Sequence, residues 1–186
     1  ADKNFSGKDR YGVPILKFEA VVAGQVEVGA GPLHTQFDGK CNAFISLFLD
    51  SAISKFSLGP KAGIPADKAF KLLDKVDVHY NIGHLATSEG DTVAADGKYL
   101  VALDKWSIDR YPTLGTLKPQ NLQLIDLSGP KMRIINEAPV GFGEPHYAQI
   151  VRLDRLAKSL QTYPPGTDPL TFKPSADATT LGKERV

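Results

Sequence analysis

Three of the four histidines in the sequence lie in similar surroundings, beside a turn that contains glycine or proline and close to an apolar segment. They are His34 in GPLHTQFDGK, His84 in NIGHLAT and His146 in GFGEPHYAQI. An imidazole presented from the end of a strand can be neutral, oriented and reachable, which is what a metal ligand requires. Because no cysteine pair accompanies them, the set favours copper or zinc over magnesium or calcium.

The alternative is that each of these histidines is an isolated, hydrogen-bonded loop residue. For one histidine taken alone this is the expected result, and their spacing (34 to 84 and 84 to 146) is not that of a helical metal motif. Three matching settings favour a shared metal site over three isolated residues. The fourth, His79, lies on a predicted strand and is expected to be structural.

Two charged residues could assist such a site. Glu144 precedes His146 by two positions and could orient its ring or move a proton. Lys105 follows the strand that comes after His84, so its side chain could point at the same centre. The alternative is that both are solvated surface residues.

Short apolar segments separated by turn residues predict an all-β chain with one short helix at 66–73. The unit Asp38-Gly39-Lys40 before NAFISLFLD recurs 58 positions later (38 to 96) as Asp96-Gly97-Lys98 before YLVALD. Such a repeat favours a β-propeller, whose inner strands converge on an axis and would bring distant imidazoles together. At roughly 40 to 50 residues a blade, the chain would supply about three to four blades. The strands expected are 15–22, 25–28, 42–49, 50–56, 76–80, 99–103, 122–127, 132–136 and 148–153.

The composition excludes several classes of protein. A net charge of +1 gives no electrostatic attraction to nucleic acid, and no segment approaches the roughly 18 apolar residues of a membrane span. The single cysteine excludes an internal disulfide and a finger-type zinc site. Since the first residue is not methionine, we expect a processed or truncated chain. We expect residues 1–160 to form the propeller part and the proline-rich residues 161–186 to form a linker.

Five segments between about residue 28 and residue 153 are long and specific; in chain order they are GPLHTQFDGKCNAFISLFLDS, DKVDVHYNIGHL, ADGKYLVALDKWSIDRY, LKPQNLQLIDLSGPKM and GEPH. Together they closely resemble the later blades of the propeller domain of the nitrous-oxide reductases. The resemblance implies part of a seven-bladed β-propeller, followed by a proline-rich linker towards a cupredoxin domain. It also implies a periplasmic homodimer in which the propeller holds a tetranuclear copper–sulfide centre on seven histidines and the cupredoxin domain carries a dinuclear copper centre.

By this resemblance, the copper ligands His34, His84 and His146 correspond to the last three of the seven. Lys105 and Glu144 correspond to residues beside the cluster, with proton-handling or orienting roles. Oxygen atoms at Lys105 and at position 120 correspond to a calcium site. The family usually has glutamate where this chain has Gln120, and an amide is a weaker calcium ligand than a carboxylate.

The implied reaction is the reduction of nitrous oxide to dinitrogen and water, with electrons from a cytochrome or cupredoxin donor. Because the other four ligands and the cupredoxin domain are not in the sequence, the chain is expected to be a piece of the enzyme that needs its remaining parts. One alternative is a non-catalytic propeller fragment that acts as a metal-binding or interaction scaffold. A second is a small histidine–metal hydrolase with Glu144 as its general base.

Overall fold

The computed structural model of the chain describes residues 3–105, 120–140 and 144–155. The chain divides into a compact unit, Ala1–Ile150, and a second unit, Val151–Val186, of which residues 151–155 are described. The segment predicted to be a linker, residues 161–186, lies outside the described residues. Within the described part, no helix has the length and apolar character needed to cross a bilayer.

The described residues form antiparallel β-sheet, as the sequence predicts. One sheet has the strand order β3-β4-β5-β6 and the other the order β7-β8-β9-β10, so each follows the chain as a meander; β1 and β2 form a separate pair. A four-stranded antiparallel meander is the unit of a propeller blade, and the chain is thus part of a β-propeller. The strands are β1 (Phe5–Lys8), β2 (Pro14–Leu16), β3 (Pro32–Phe37), β4 (Asn42–Leu47), β5 (Ala52–Ser57), β6 (Leu72–Asp77), β7 (Ile82–Thr87), β8 (Tyr99–Asp104), β9 (Asn121–Asp126) and β10 (Arg133–Pro139), with a short helix α1 (Phe18–Val21) and a 3-10 turn (Pro60–Ala62).

The hydrophobic core lies between the two four-stranded sheets. Strand β7 packs against β3 and β4, so the first strands of the two sheets are neighbours. Phe44 and Ile53 of the first sheet pack with apolar residues of the second, and both are fully buried. This packing fixes the relative position of β3 and β7, which carry His34 and His84. The partners from the second sheet and its turns are Ile82, Leu85, Leu100, Ala102, Ile125, Leu127 and Met132.

The repeated Asp-Gly-Lys turns occupy equivalent places, each immediately before the second strand of its sheet. The Asp38 carboxylate accepts the N–H groups of Lys40 and Asn42, both at 2.9 Å. The Asp96 carboxylate accepts the N–H of Lys98 at 3.1 Å. The aspartate of each unit therefore closes its own turn, which explains why the repeat in sequence corresponds to a repeat in structure.

The predicted helix at 66–73 is wrong. Residues 66–70 form a turn, and β6 begins at Leu72 and pairs with β5. The Ser57 hydroxyl donates to the carbonyl of Lys68 at 2.7 Å and accepts the N–H of Lys71 at 3.0 Å, and Phe70 has a left-handed φ of 55°. These contacts tie the segment to the edge of the sheet, so pairing with β5 prevails over its helical pattern.

The predicted strand 25–28 does not form, and of the predicted strand 76–80 only the first two residues are extended, as the end of β6. Two further predicted strands are shorter than expected. Of residues 15–22, only the first two extend β2, and a four-residue helix, α1, follows. Of residues 148–153, Ile150 alone forms a β-bridge, which is parallel and joins it to Ser88.

Candidate metal centre on the inner strands

The structure places two of the three predicted ligands at equivalent positions of adjacent sheets. His34 is the third residue of β3, and His84 is the third residue of β7. In both strands the pairing register shifts at this point, between Pro32 and Thr35 in β3 and between Ile82 and Leu85 in β7. Such an irregularity redirects a side chain, so each ring leaves its strand at a break in the ladder rather than from the strand end that the sequence predicts.

Local contacts hold the first of these breaks in place. The N–H of His34 donates to the Ser46 hydroxyl at 3.0 Å, and that hydroxyl lies 3.3 Å from the carbonyl of His34. Ser46 lies on β4 and is fully buried. A side chain therefore replaces the strand-to-strand hydrogen bonds that His34 does not make, as buried backbone groups require.

The third predicted ligand reaches the same place from a segment outside the sheets. Ile150 is anchored beside the end of β7, where its carbonyl accepts the N–H of Glu89 at 2.9 Å. The segment before it brings His146 to His84. The ring centroids of His84 and His146 are 4.4 Å apart, and those of His34 and His84 are 4.7 Å apart. All three imidazoles therefore lie together, with His84 in the middle.

A lysine ammonium lies among these rings. Lys105 is 4% exposed, and its Nζ is 3.2 Å from Nδ1 of His84 and 3.0 Å from Nδ1 of His146. Its partner is Glu144, whose Oε1 is 2.9 Å from Nζ. Both charged residues that the sequence associated with the site are therefore in it.

Gly83 makes room for the buried lysine. A Cβ built on Gly83 would overlap the Cδ and Cε atoms of Lys105. Any other residue at this position would push the lysine away from the rings. The glycine that precedes His84 thus has a specific steric role.

Burial keeps two of the imidazoles neutral. It lowers the pKa of His34 below the usual value of 6.5, although the nearby Asp91 carboxylate opposes the shift. Burial also lowers the pKa of His84, and the Lys105 ammonium adds to the effect. At neutral pH both rings are therefore in the form that has a free lone pair, which metal binding requires.

The donor set suits a borderline transition metal such as copper. Two imidazole nitrogens and a carboxylate oxygen already surround a positive charge, the ammonium of Lys105. Within residues 3–105, 120–140 and 144–155, no three His, Cys, Asp or Glu side chains stand as one ready-made metal site. Nδ1 of His34 accepts the N–H of Leu85 at 3.2 Å, so this nitrogen is directed to the backbone. A metal ion that binds Nδ1 of His84 and His146 would have to displace the ammonium.

The residues predicted to bind calcium are both buried. Gln120 is 3% exposed, and its carbonyl accepts the N–H of Val140 at 3.0 Å. The N–H of Lys105 donates to the carbonyl of Asn81 at 3.1 Å. These contacts do not test calcium binding, which stays a prediction.

The structure adds a buried carboxyl group that the sequence analysis did not single out. Asp104 is the last residue of β8 and is fully buried. Burial, with a smaller effect from the Glu137 carboxylate, raises its pKa from 3.8 to about 8. The available signal was an acidic residue at the end of the apolar strand YLVALD. His79, expected to be structural, has partners: its Nε2 lies 2.7 Å from Oε2 of Glu137, and its N–H donates to Gln123 at 2.9 Å.

Comparisons with known proteins agree with this architecture. Residues 75–146 match the nitrous oxide reductase propeller repeat family. The nitrous-oxide reductase of Stutzerimonas stutzeri is 44% identical over 137 residues, which cover 73% of this chain and 21% of that protein. The nitrous-oxide reductase of Cupriavidus necator is 43% identical over 161 residues, or 84% of this chain and 24% of that protein. That of Ralstonia nicotianae is 45% identical over 134 residues, or 71% of this chain and 21% of that protein.

A solved structure of a protein described as a 6-phosphogluconolactonase from Bacteroides uniformis aligns with 71% of this chain and 35% of its own. Its TM-score of 0.42 and identity of 14% are too low to support an argument. The sequence matches carry the assignment instead. The chain spans only 21 to 24% of the length of these relatives. It belongs to the nitrous-oxide reductase family and corresponds to part of its propeller.

Proposed function

We propose that this chain forms part of a nitrous-oxide reductase in which His34, His84 and His146 bind a tetranuclear copper–sulfide centre. The observation that carries the proposal is the convergence of three imidazoles, two of them on the adjacent strands β3 and β7, with a buried lysine ammonium against the rings of His84 and His146. The names of the sequence relatives supply the reaction and its substrate. The remaining ligands would come from other parts of the enzyme.

The proposed reaction takes up two electrons and two protons to convert nitrous oxide to dinitrogen and water. The copper centre, when bound, would supply the electrons to the substrate. With the metal bound, Lys105 would be displaced from the two Nδ1 atoms, and its Nζ would hold a proton beside the imidazoles for the departing oxygen. Glu144, at 2.9 Å, is within hydrogen-bond distance to pass a further proton to that amine. Since His146 is 69% exposed, protons can reach this side of the chain's site from solvent.

The other properties of the enzyme belong to the same proposal. They are a periplasmic homodimer, a dinuclear copper centre that receives electrons from a cytochrome or cupredoxin, and a calcium ion at Lys105 and Gln120. Gln120 offers a neutral amide oxygen to this ion, so we expect weak calcium binding there.

Copper content tests the proposal most simply. In the assembled enzyme, His84→Ala should lower the copper content and abolish nitrous-oxide reduction, because it removes the central ring of the three. His79→Gln is the matched control, since His79 bonds to Glu137 and lies outside the imidazole cluster. Full copper loading and turnover in His84→Ala would contradict the proposal.

One observation favours a second candidate, a non-catalytic metal-binding scaffold. As described in residues 3–105, 120–140 and 144–155, the chain holds no complete metal site of its own. Copper titration of the chain in isolation separates the two. If the isolated chain binds copper but the enzyme assembled from it does not reduce nitrous oxide, the scaffold is supported.

A further inference from the structure

A serine of the first sheet holds the segment that leads into the strand of His84. Residues 78–81 connect β6 to β7, and Ser51 lies in the turn between β4 and β5. The carbonyl of Ser51 accepts the N–H of Val78 at 2.9 Å, and its hydroxyl accepts the N–H of Asn81 at 3.1 Å. The connection between the two sheets is therefore bound at both of its ends to one residue of the first sheet.

Asn81 extends this anchor to Lys105. The carbonyl of Asn81 accepts the main-chain N–H of Lys105 at 3.1 Å. The ladder between β7 and β8 is irregular just beyond this point, between Ile82 and Leu85, where His84 leaves its strand. The bond to Asn81 thus ties the main chain of Lys105 to the start of β7, immediately before the irregularity.

The backbone of Ser51 and Asn81 lies in the left-handed region. The angle φ is 53° at both residues. Asparagine tolerates this conformation, whereas for serine it is less favourable and persists where the surroundings maintain it. The hydrogen bonds from Val78 and Asn81 are contacts that maintain it here, so the turn and the connection stabilise each other.

The other end of Lys105 is the ammonium beside the imidazoles. Its Nζ lies 3.2 Å from Nδ1 of His84, 3.0 Å from Nδ1 of His146 and 2.9 Å from Oε1 of Glu144. A lysine side chain has many rotamers, so the position of its ammonium depends on a fixed main chain as well as on the partners of Nζ. Asn81 fixes that main chain.

We propose that Ser51 is a positioning residue for Lys105 and acts through Asn81 to keep the ammonium beside the imidazoles. Ser51 precedes Lys105 by 54 positions (51 to 105) and belongs to the other sheet. The packing of the two sheets would thereby control where the site holds its proton. The inference rests on the proposed function in so far as it gives Ser51 a part in proton delivery to the departing oxygen.

The reactivity of the Lys105 amine in the metal-free full chain tests the positioning directly. Reductive methylation, followed by mass spectrometry of peptides, measures how fast each lysine reacts, and Lys105 is 4% exposed. Ser51→Gly removes the hydroxyl, and glycine accepts a φ of 53° without strain. We expect Lys105 to react about threefold faster in this variant because its anchor opens more often, while the exposed Lys40 reacts at an unchanged rate.

Two further variants separate positioning from general destabilisation. Ser54→Ala is the matched control, because the Ser54 hydroxyl donates to the carbonyl of Val28 at 2.8 Å and its loss weakens the same sheet away from the connection. Ser51→Asn tolerates the left-handed φ and offers a side-chain oxygen, so its Lys105 should react at a rate closer to that of the wild type. Faster methylation in Ser51→Gly alone supports the proposal. An unchanged rate in Ser51→Gly, or an equal increase in Ser54→Ala, would overturn it.

The assembled, copper-loaded enzyme tests the link to proton delivery. Ser51→Gly should lower kcat several-fold while the copper content and KM stay at the wild-type values, because the imidazoles remain in place. An unchanged kcat in this variant would overturn the role of Ser51 in proton delivery. If the wild-type enzyme itself did not reduce nitrous oxide, the proposed function would fail, and the methylation rates alone would decide whether Ser51 positions Lys105.

Discussion

Replacement of Asp104 by asparagine should stabilise the chain at neutral pH when cations are absent. Asp104 is buried, and its pKa is raised from 3.8 to about 8. At pH 7 the folded chain therefore keeps a proton that the unfolded chain has released. The stability associated with this proton is fully present below pH 3.8 and is lost as the pH rises towards 8. Asparagine keeps the shape of the side chain and removes the titration.

The magnitude follows from the two pKa values. Between pH 3.8 and pH 8 each pH unit lowers the free energy of unfolding by about 1.4 kcal/mol, which amounts to about 4 kcal/mol at pH 7. We therefore expect Asp104→Asn to gain about 4 kcal/mol over the wild type at pH 7 and almost nothing at pH 4. The buried amide and the buried neutral acid have similar hydrogen-bonding needs, so this difference isolates the charge.

Urea unfolding followed by circular dichroism, in a chelating buffer from pH 4 to pH 8, measures this difference. The control Asp126→Asn should behave in the opposite sense. Hydrogen bonds from Ser128 and Arg133 lower the pKa of Asp126, so its stabilising effect is present above its unfolded pKa and lost as the pH falls. If the difference between wild type and Asp104→Asn does not change with pH, the reasoning about Asp104 is refuted.

Three further substitutions test the site and the core. Gly83→Ala should displace Lys105, lower the free energy of unfolding by about 1 to 3 kcal/mol and so lower the melting temperature. Gly129→Ala is the control and should have little effect, because its added Cβ meets only an ordinary contact. Equal melting temperatures of the two variants would contradict the steric role of Gly83. Ser46→Ala leaves the N–H of His34 without its partner, so it should lower the free energy of unfolding in urea by about 1 to 3 kcal/mol and also weaken copper binding. Unchanged copper affinity would show that this hydroxyl does not position the ring. Phe44→Ala should cost about 3 to 5 kcal/mol in the same assay, and a loss under 1 kcal/mol would contradict its place in the core between the sheets.

The sequence predicted the strands best where apolar residues are bounded by turn residues. Strands β4, β8 and β9 begin and end within a few residues of the predicted limits, because each follows or precedes a turn closed by its own aspartate. The helix predicted at 66–73 does not form, because β5 pairs with the end of this segment and Ser57 of β5 donates a hydrogen bond to the turn. The local sequence pattern does not show that pairing with a distant strand will be favoured over a helix.

The candidate site was predictable in its residue types but not in its arrangement. The three histidines could be selected because glycine or proline lies one or two positions before each of them, near an apolar segment. The register shifts that redirect His34 and His84 depend on pairing between strands, which no single segment encodes. The depth of Lys105 depends on the space left by Gly83. Asp104 was missed because its burial arises only when two sheets pack together.

X-ray absorption at the copper edge is the most direct test of the central claim, that the rings of His34, His84 and His146 hold copper together. The assembled, copper-loaded enzyme would be compared with His34→Ala, His84→Ala and His146→Ala. The account predicts imidazole nitrogen around copper in the wild type and a loss of copper or of imidazole scattering in each variant. Unchanged copper content and an unchanged spectrum in all three variants would contradict it.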